Sequence, residues 1–560
     1  MNPLIKENAV HIIKKLGLGK IARAARSRIS PNLRAQRKRN LADLNSLSSR
    51  LQSVRQQIEG QISQTEGNAL FIAMGGTRYV VQQLPVIAGV IAHGLSPIII
   101  LPSRDANDER MLYEACGIKR FAFWDDYADN PDIPRLLAAL ANCMTQDDVL
   151  NLTWNGLMVG KYAVSTLMRQ LRSGHIDIQD QTINLHMQVA LQRCLNHASA
   201  SKALLAQWSP KLVVFVDRGY TPEGPLFEAC IQSGIQPITF NAAHKDNALL
   251  LKRYGQENSN VHPASLAQET WQALQAMPWD QQKFTAVQNE IEHCYKTGQW
   301  YGEVATQHNT ALLDRAKLKQ RLGFNNQKKT VLLFPHIFWD ATFFWGNDVF
   351  HDYEEWFAET VKAAWRLDHV NWVIKVHPAN VVKNIRDGSS KMFAELEVLA
   401  RFGPVPQHIR VLPADTDIST LSVFTIGDVC LTVRGTVGIE AATFGLNVIT
   451  AGTGRYDRLG FTHDIESREE YLQLLSDIDK LSPPSLQQIE LAQRYAYGVF
   501  INRPLQIESI PFSYSKTRTA ELEVQISQQA EHELFRASDI RAIKAWLDSG
   551  KMDLCGIPPG

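Results

Sequence analysis

Beyond residue 67 the chain alternates short apolar runs with amphipathic stretches of helical period, and the apolar runs end on small or polar residues. Residues 69–74 read as a strand running into Gly75-Gly76-Thr77, residues 80–93 as a helix, and 97–101 as the next strand. Residues 211–216 form another strand, followed by Asp217-Arg218-Gly219. A helix over 223–233, with Pro222 and Pro225 near its start, then leads to a strand over 236–240. The pattern restarts at 330–334 with a strand, the loop 335–340, a helix over 352–365 and a strand over 372–376 that stops at His377-Pro378. A strand over 409–412, a short helix over 417–424 and a strand–glycine turn–helix–strand unit over 428–450 follow. Strands alternating with helices predict parallel sheets with right-handed crossovers. Two such series predict an α/β protein of two doubly wound, Rossmann-like domains. In sheets of this kind ligands bind beyond the strand C-termini, which here means the cleft between the domains.

The remaining segments are assigned around these two halves of the 560 residues. Residues 1–66 are a basic, amphipathic helical extension, with a helical stripe of Leu41, Leu44, Leu47, Leu51, Val54, Ile58 and Ile62. Residues 67–261 are the first Rossmann-like domain, with a helical insertion at about 104–205. Residues 262–328 are polar and helix-rich and read as an interdomain connection. Residues 329–503 are the second Rossmann-like domain, and 504–560 a tail that packs back onto the first.

Composition narrows the class. Apolar residues at 45% and charged residues at 21% are those of a globular protein. Seven scattered cysteines, none in a CxxC pair, fit a reducing compartment and give no disulfide framework or zinc site. No run is apolar enough to span a membrane, and the N-terminus lacks a signal-peptide pattern. The net charge of +1 conceals an asymmetry: residues 1–40 hold eleven Lys/Arg against one acid, Glu7, a charge of +10 that leaves −9 for the rest. With Val10, Ile13, Gly17 and Ile21 at helical spacing, this segment reads as a surface for the inner face of the cytoplasmic membrane or as a solvated arm. No aromatic residue is interleaved in it, which argues against nucleic acid.

Candidate chemistry concentrates in the second half. Arg434-Gly435-Thr436-Val437-Gly438 joins a strand to a helix and makes an anion site, because free backbone N–H groups and the helix dipole favour negative charge. Glu440, one turn into the helix, is placed to accept hydrogen bonds from ribose hydroxyls. The unit reads as a pocket for a phosphorylated nucleotide. Lys375-Val376-His377-Pro378 presents His377 at a neighbouring strand end, either as a phosphate donor or as a turn cap. Asp217, at a strand end of the first domain, is either a nucleophile or general base or the cap of its turn, and Glu223 is the competing carboxylate. His336 and Asp340 lie in the loop after the first strand of the second domain and are candidates for the donor sugar or the acceptor, as are Gly75, Gly76, Thr77 and Tyr456. The aromatic group Phe338, Trp339, Phe343, Phe344 and Trp345 either stacks on a sugar or packs between domains. Asp415-Thr416-Asp417 has DxD spacing but precedes a helix, where capping accounts for it.

KVHP at 375–378, RGTVGIEAATFGLNVITAG at 434–452, and Tyr456 with Gly460-Phe461-Thr462-His463-Asp464 together resemble the capsule polysaccharide biosynthesis family, which includes bacterial β-Kdo transferases of the GT-B fold. The resemblance covers about 330–470 closely and 68–240 by architecture alone. It implies a glycosyltransferase that moves a Kdo-like sugar from a nucleotide-activated, CMP-linked donor to a glycan or lipid-linked acceptor in surface polysaccharide synthesis. It further implies no metal cofactor and a cytoplasmic enzyme at the inner membrane. His377 and the 436–438 loop would hold the phosphate and Glu440 the ribose. Asp217 is the nearest match to the family's catalytic acid. The chain departs from that motif at Val216 and Arg218, and Arg434 stands where relatives often carry a small or hydroxyl residue. A CDP-polyol phosphotransferase of the teichoic-acid type, a nucleotide-sugar epimerase and a non-catalytic GT-B-like assembly protein are the alternatives.

Overall fold

The computed structural model describes residues 52–74, 76–127, 132–301, 312–340, 342–387, 391–510, 512–516, 522–526 and 533–556. The basic segment 1–40, Gly75 and most of the leucine stripe lie outside them; the helix Gln52–Ile62 is the end of that stripe. The first half forms β1 (Asn68–Ile72), β2 (Ser96–Leu101), β3 (Phe121–Phe123), β4 (Leu212–Phe215), β5 (Gln236–Ala242) and β6 (Ala248–Arg253). Strands β3-β2-β1-β4-β5 are parallel, and β6 runs antiparallel beside β5. The second half forms β7 (Thr330–Leu333), β8 (Asn371–Lys375), β9 (Ile409–Leu412), β10 (Val429–Thr432), β11 (Asn447–Thr450) and β12 (His463–Asp464), all parallel in the order β12-β11-β10-β7-β8-β9.

The central strands are apolar throughout because helices cover both faces. In the first sheet Phe71, Ile99, Leu101 and Val214 face the helices Thr77–Ala92 and Ser538–Ser549. The alternate residues Leu70, Ile72, Ile98, Ile100, Val213 and Phe215 face Val159–Leu171 and the long Gln181–Trp208. The predicted insertion is therefore the cover of one sheet face, except that it also supplies β3, an edge strand too short to stand out from its surroundings.

Residues 262–301 are more than a connection. Trp271, Leu274, Val287, Ile291, Cys294 and Trp300 share one core with Leu332, Cys430 and Val448 of the second sheet. The opposite face, with Val331, Leu333, Ile374 and Leu431, packs on Tyr353–Arg366 and Arg468–Ser476.

The chain then recrosses. Helix Leu486–Tyr497 runs through a π-helical turn, Gly498–Asn502, to β13 (Leu505–Gln506), which pairs antiparallel with β6 of the first sheet. At this crossing the buried Arg503 donates to the carbonyls of Leu251 (3.1 Å), Pro263 (3.0 Å) and Ser265 (2.7 Å). Lys252 and Asp553 form a buried ion pair beside it at 2.7 Å. The helix Ser538–Ser549 locks against Thr77–Ala92 so closely that a Cβ at Gly89 would lie 2.3 Å from Ile543 Cγ2. The two strand C-terminal edges thus face one another across a cleft.

Candidate functional site

The strand–turn–helix unit of the second domain is built from β10, the turn 433–435 and the helix Thr436–Thr443. Its first two N–H groups, of Thr436 and Val437, have no intrahelical acceptors, while that of Gly438 closes on the Gly435 carbonyl at 3.0 Å. The turn is held from beneath. Tyr456 donates its hydroxyl to the Gly435 carbonyl at 2.7 Å, and Gly438 makes room for it, because a Cβ there would lie 2.2 Å from the Tyr456 oxygen. Tyr456 is buried and does not line the cavities described below, so its place is support of the loop rather than contact with sugar or acceptor.

Arg434 also differs from its expected part. Its guanidinium donates to the Trp345 carbonyl and pairs with the Asp348 carboxylate, and the residue is 2% exposed. The cation at the loop is instead Arg455, which donates to the Arg434 carbonyl at 3.1 Å and the Thr436 hydroxyl at 2.7 Å.

Two histidines flank the turn with fixed tautomers. His336 accepts the Arg434 N–H at Nε2 (3.3 Å), and His377 accepts the Ala379 N–H at Nδ1 (3.2 Å). Each is left with one outward N–H. Burial and neighbouring cations lower both pKa values, that of His377 to about 4, so both are neutral donors at pH 7.

A cavity of about 300 Å³ opens beside the turn, lined by Lys375, His377, Pro378, Thr436, Val437 and Glu440 and walled by Tyr295, Trp300 and Tyr301. Tyr295 and Trp300 stack on each other at 5.2 Å. Glu440 is 2% exposed, accepts the Tyr295 hydroxyl at 2.8 Å, and is pushed up to about 7 by burial, against the pull of Tyr295, Arg455 and Lys375. Burial brings Lys375 down to about 8, with Glu440 opposing.

The cavity adjoins a second of about 510 Å³ in the cleft. Tyr301, His336, His377, Gly435 and Thr436 line both. The second chamber is lined further by Asp217 of the first domain and by Asp340, Lys383 and Arg455 of the second. Asp217 accepts the N–H groups of Arg218 (2.6 Å) and Gly219 (3.0 Å) at one oxygen; the other lies 3.7 Å from Arg169. Its side chain is 43% exposed. Enclosure in the cleft raises its pKa, opposed by the Gly219 N–H and Arg169. Glu223 opens the helix Glu223–Gln232 and does not line either chamber; burial and the neighbouring Asp217 push it up to about 7.

Asp340 accepts the Tyr220 hydroxyl at 2.7 Å and the Lys383 ammonium at 2.6 Å, which hold it well below the usual carboxylate range despite burial. It is a bridge between the domains. The aromatic group packs in the same seam: Phe344 stacks on Tyr162 at 5.1 Å, and Trp339, Phe344 and Trp345 join the core of the first domain's helices. Gly76 precedes the helix Thr77–Ala92 with φ +95° and does not line either chamber. Asp417 pairs with Arg321 at 2.7 Å, away from both chambers.

Among the described residues, His244, Glu290 and Cys294 hold ligand atoms within 4.8 Å of one another, a spacing that can take a metal ion. The Glu290 oxygen that meets His244 at 2.8 Å also meets Lys245 at 2.8 Å, so an ammonium already neutralises it. The group lies against Trp300, outside the chambers.

The residues that sequence reasoning missed are Arg455, Lys383, Arg169 and the Tyr295/Trp300/Tyr301 wall. Arg455 had a signal, since it directly precedes Tyr456 in a glycine loop after β11.

No protein-family model matches the chain, and no curated protein matches it. Among solved structures it is similar to the β-Kdo 2,4 transferase KpsC of Thermosulfurimonas dismutans, at 14% identity over 53% of this chain and 81% of that one, with a TM-score of 0.32. It is similar to the UDP-GlcNAc 2-epimerase of Neisseria meningitidis bound to UDP-GlcNAc, at 11% identity over 77% and 95%, with a TM-score of 0.24. A third similar structure is HepE of Anabaena in complex with UDP, at 12% identity over 78% and 96%, with a TM-score of 0.26. Among the described residues no helix is long and apolar enough to cross a membrane.

Proposed function

We propose that the protein is a glycosyltransferase of bacterial surface polysaccharide synthesis that uses a CMP-linked, nucleotide-activated sugar. One observation carries the reading: an aromatic-walled cavity ending on Glu440 meets, at the Gly435–Thr436 turn, an interdomain chamber lined by Asp217. The nucleoside packs along Trp300 and Tyr301, and its ribose hydroxyls donate to the Glu440 carboxylate. The phosphate sits at the turn and takes hydrogen bonds from the first-turn N–H groups, His377 and Arg455. These fixed donors meet the charge that grows on the leaving nucleotide as the glycosidic bond breaks, without a metal ion. The sugar projects into the chamber, where Asp217 accepts the proton of the acceptor hydroxyl.

Three backbone or cationic contacts at 2.6, 3.0 and 3.7 Å orient the Asp217 carboxylate, which supports this role. Glu223, pushed up to about 7, is a second-line carboxyl that limits the negative charge around Asp217. The basic segment 1–40 places the cleft near a lipid-linked acceptor at the membrane. The test is product analysis with CMP-Kdo and a membrane glycolipid acceptor. Free CMP with a lengthened glycan supports transfer of a sugar. CMP released with a new phosphodiester, or a changed sugar without acceptor, overturns it. Asp217→Ala removes the transfer while CMP still binds.

A further inference from the structure

Two of the three positions at which the chain departs from the transferase-like pattern, Arg218 and Arg434, sit on opposite sides of the cleft and converge on one residue. Arg218, next to Asp217, borders the chamber, and its guanidinium runs into packed surroundings. Its guanidinium donates to the carbonyls of Ser259 and Val261 (2.6 Å to the latter) and lies between three rings, 4.4 Å from Phe227, 4.3 Å from Tyr254 and 4.6 Å from Trp345. Trp345 belongs to the second domain, and its carbonyl accepts from Arg434, the residue before Gly435. Both arginines are nearly fully buried, at 4% and 2% exposure.

The segment that Arg218 holds is itself the seam. Asn260 accepts the Gly346 N–H at 2.8 Å, and His262 donates its backbone N–H to the Gly454 carbonyl at 2.8 Å, one residue before Arg455. From the Asp217 turn, an unbroken set of contacts therefore runs through Arg218 and residues 259–262 to the loops that carry Gly435 and Arg455. A surface ion pair does not fix geometry in this way. Here two planar guanidinium groups make bidentate or stacked contacts while nearly fully buried, where each loses little freedom on bonding.

We infer that Arg218, Trp345 and Arg434 form a strut that sets the separation between the Asp217 carboxylate and the donor phosphate site, so that these are positioning residues for transfer. The inference rests on the glycosyl-transfer reading for its kinetic consequence, and on the contacts alone for its mechanical one.

Both consequences are measured on the full chain. For the mechanical one, spin labels are placed at Ser233→Cys and Gln407→Cys, exposed sites on the two domains, with Cys555→Ser because the other six cysteines are buried. The parent protein gives one narrow distance distribution; Arg218→Lys, which keeps the charge and loses the fork, and Trp345→Leu broaden it. For the kinetic one, the same variants lower kcat with CMP-Kdo by about 10–100-fold, the scale of a misplacement near 1 Å, with KM for the donor and CMP affinity unchanged. An unchanged distance distribution in both variants overturns the strut, whatever reaction the protein catalyses. A parallel loss of kcat and CMP affinity overturns it as well, because that is what general loosening of the fold produces. Broadened distances together with full transfer by Asp217→Ala leave the strut standing and remove Asp217 from the chemistry.

Discussion

Replacing Glu440 with glutamine should stabilise the free protein and weaken nucleotide binding. The carboxyl is 2% exposed, and its pKa is raised from 4.5 to about 7. The folded state therefore holds the proton more tightly than the unfolded chain. Stability is unaffected by this group below about pH 4.5, falls as pH rises from there to about 7, and is flat beyond. A shift of this size costs about 3 kcal/mol at pH 8. Glutamine still accepts the Tyr295 hydroxyl and carries no charge, so it escapes that cost. The difference in thermal midpoint between Glu440→Gln and the parent, followed by scanning calorimetry from pH 4.5 to 8, should begin near zero and grow in favour of the variant until about pH 7. Nucleotide binding should show the converse. A hydrogen bond to a charged acceptor contributes about 1.5–3 kcal/mol, so CMP affinity at pH 8 should fall about tenfold or more in the variant. In the parent it should rise with pH through 7, as ribose hydroxyls require the carboxylate. Midpoint curves that stay parallel at all pH values would refute the raised pKa of Glu440, and unchanged CMP affinity at pH 8 would refute its ribose role.

His377→Ala should weaken CMP binding about tenfold in titration calorimetry, the value of one charge-assisted hydrogen bond. Because His377 is neutral above about pH 4, that loss should be the same at pH 6 and pH 8. Gly438→Ala places a Cβ 2.2 Å from the Tyr456 oxygen and should cost about 1–3 kcal/mol by overpacking, read as a lowered thermal midpoint together with lost CMP binding. Deleting residues 1–40 removes a charge of +10 and should release the protein from vesicles containing anionic lipid. Unchanged partition in a flotation assay would rule the membrane role out.

What was legible in the sequence is what local physics determines. The parallel strands of both sheets are continuous apolar runs bounded by turns, and the phosphate turn is a contiguous strand–glycine–helix unit whose N–H groups point outward by construction. Glu440 and His377 follow from it by one helical turn and one neighbouring strand end. Side-chain direction over long reach was not legible. Arg434 lies in the expected turn, yet its five-donor head reaches back to Trp345 and Asp348, while Arg455, about twenty residues on, takes the place at Thr436. Tyr456 was legible as part of the site but not as its underside, since burial depends on Gly438 lacking a side chain. The wall of Tyr295, Trp300 and Tyr301 comes from a segment with a polar helical pattern. Its contact with Glu440 spans 145 residues and leaves no local trace. Strands β3 and β13 are short edge pieces whose pairing is set by the sheet they join.

On the proposed function, a nucleotide spans the aromatic cavity with its phosphate at the Gly435–Thr436 turn. A crystal structure of the full chain soaked separately with CMP and with UDP tests it most directly. CMP should bind with ribose hydroxyls within hydrogen-bond distance of Glu440 and phosphate oxygens on the Thr436 N–H, His377 Nε2 and Arg455. A nucleotide bound outside this cavity, or one whose phosphate points away from the chamber that holds Asp217, would contradict it.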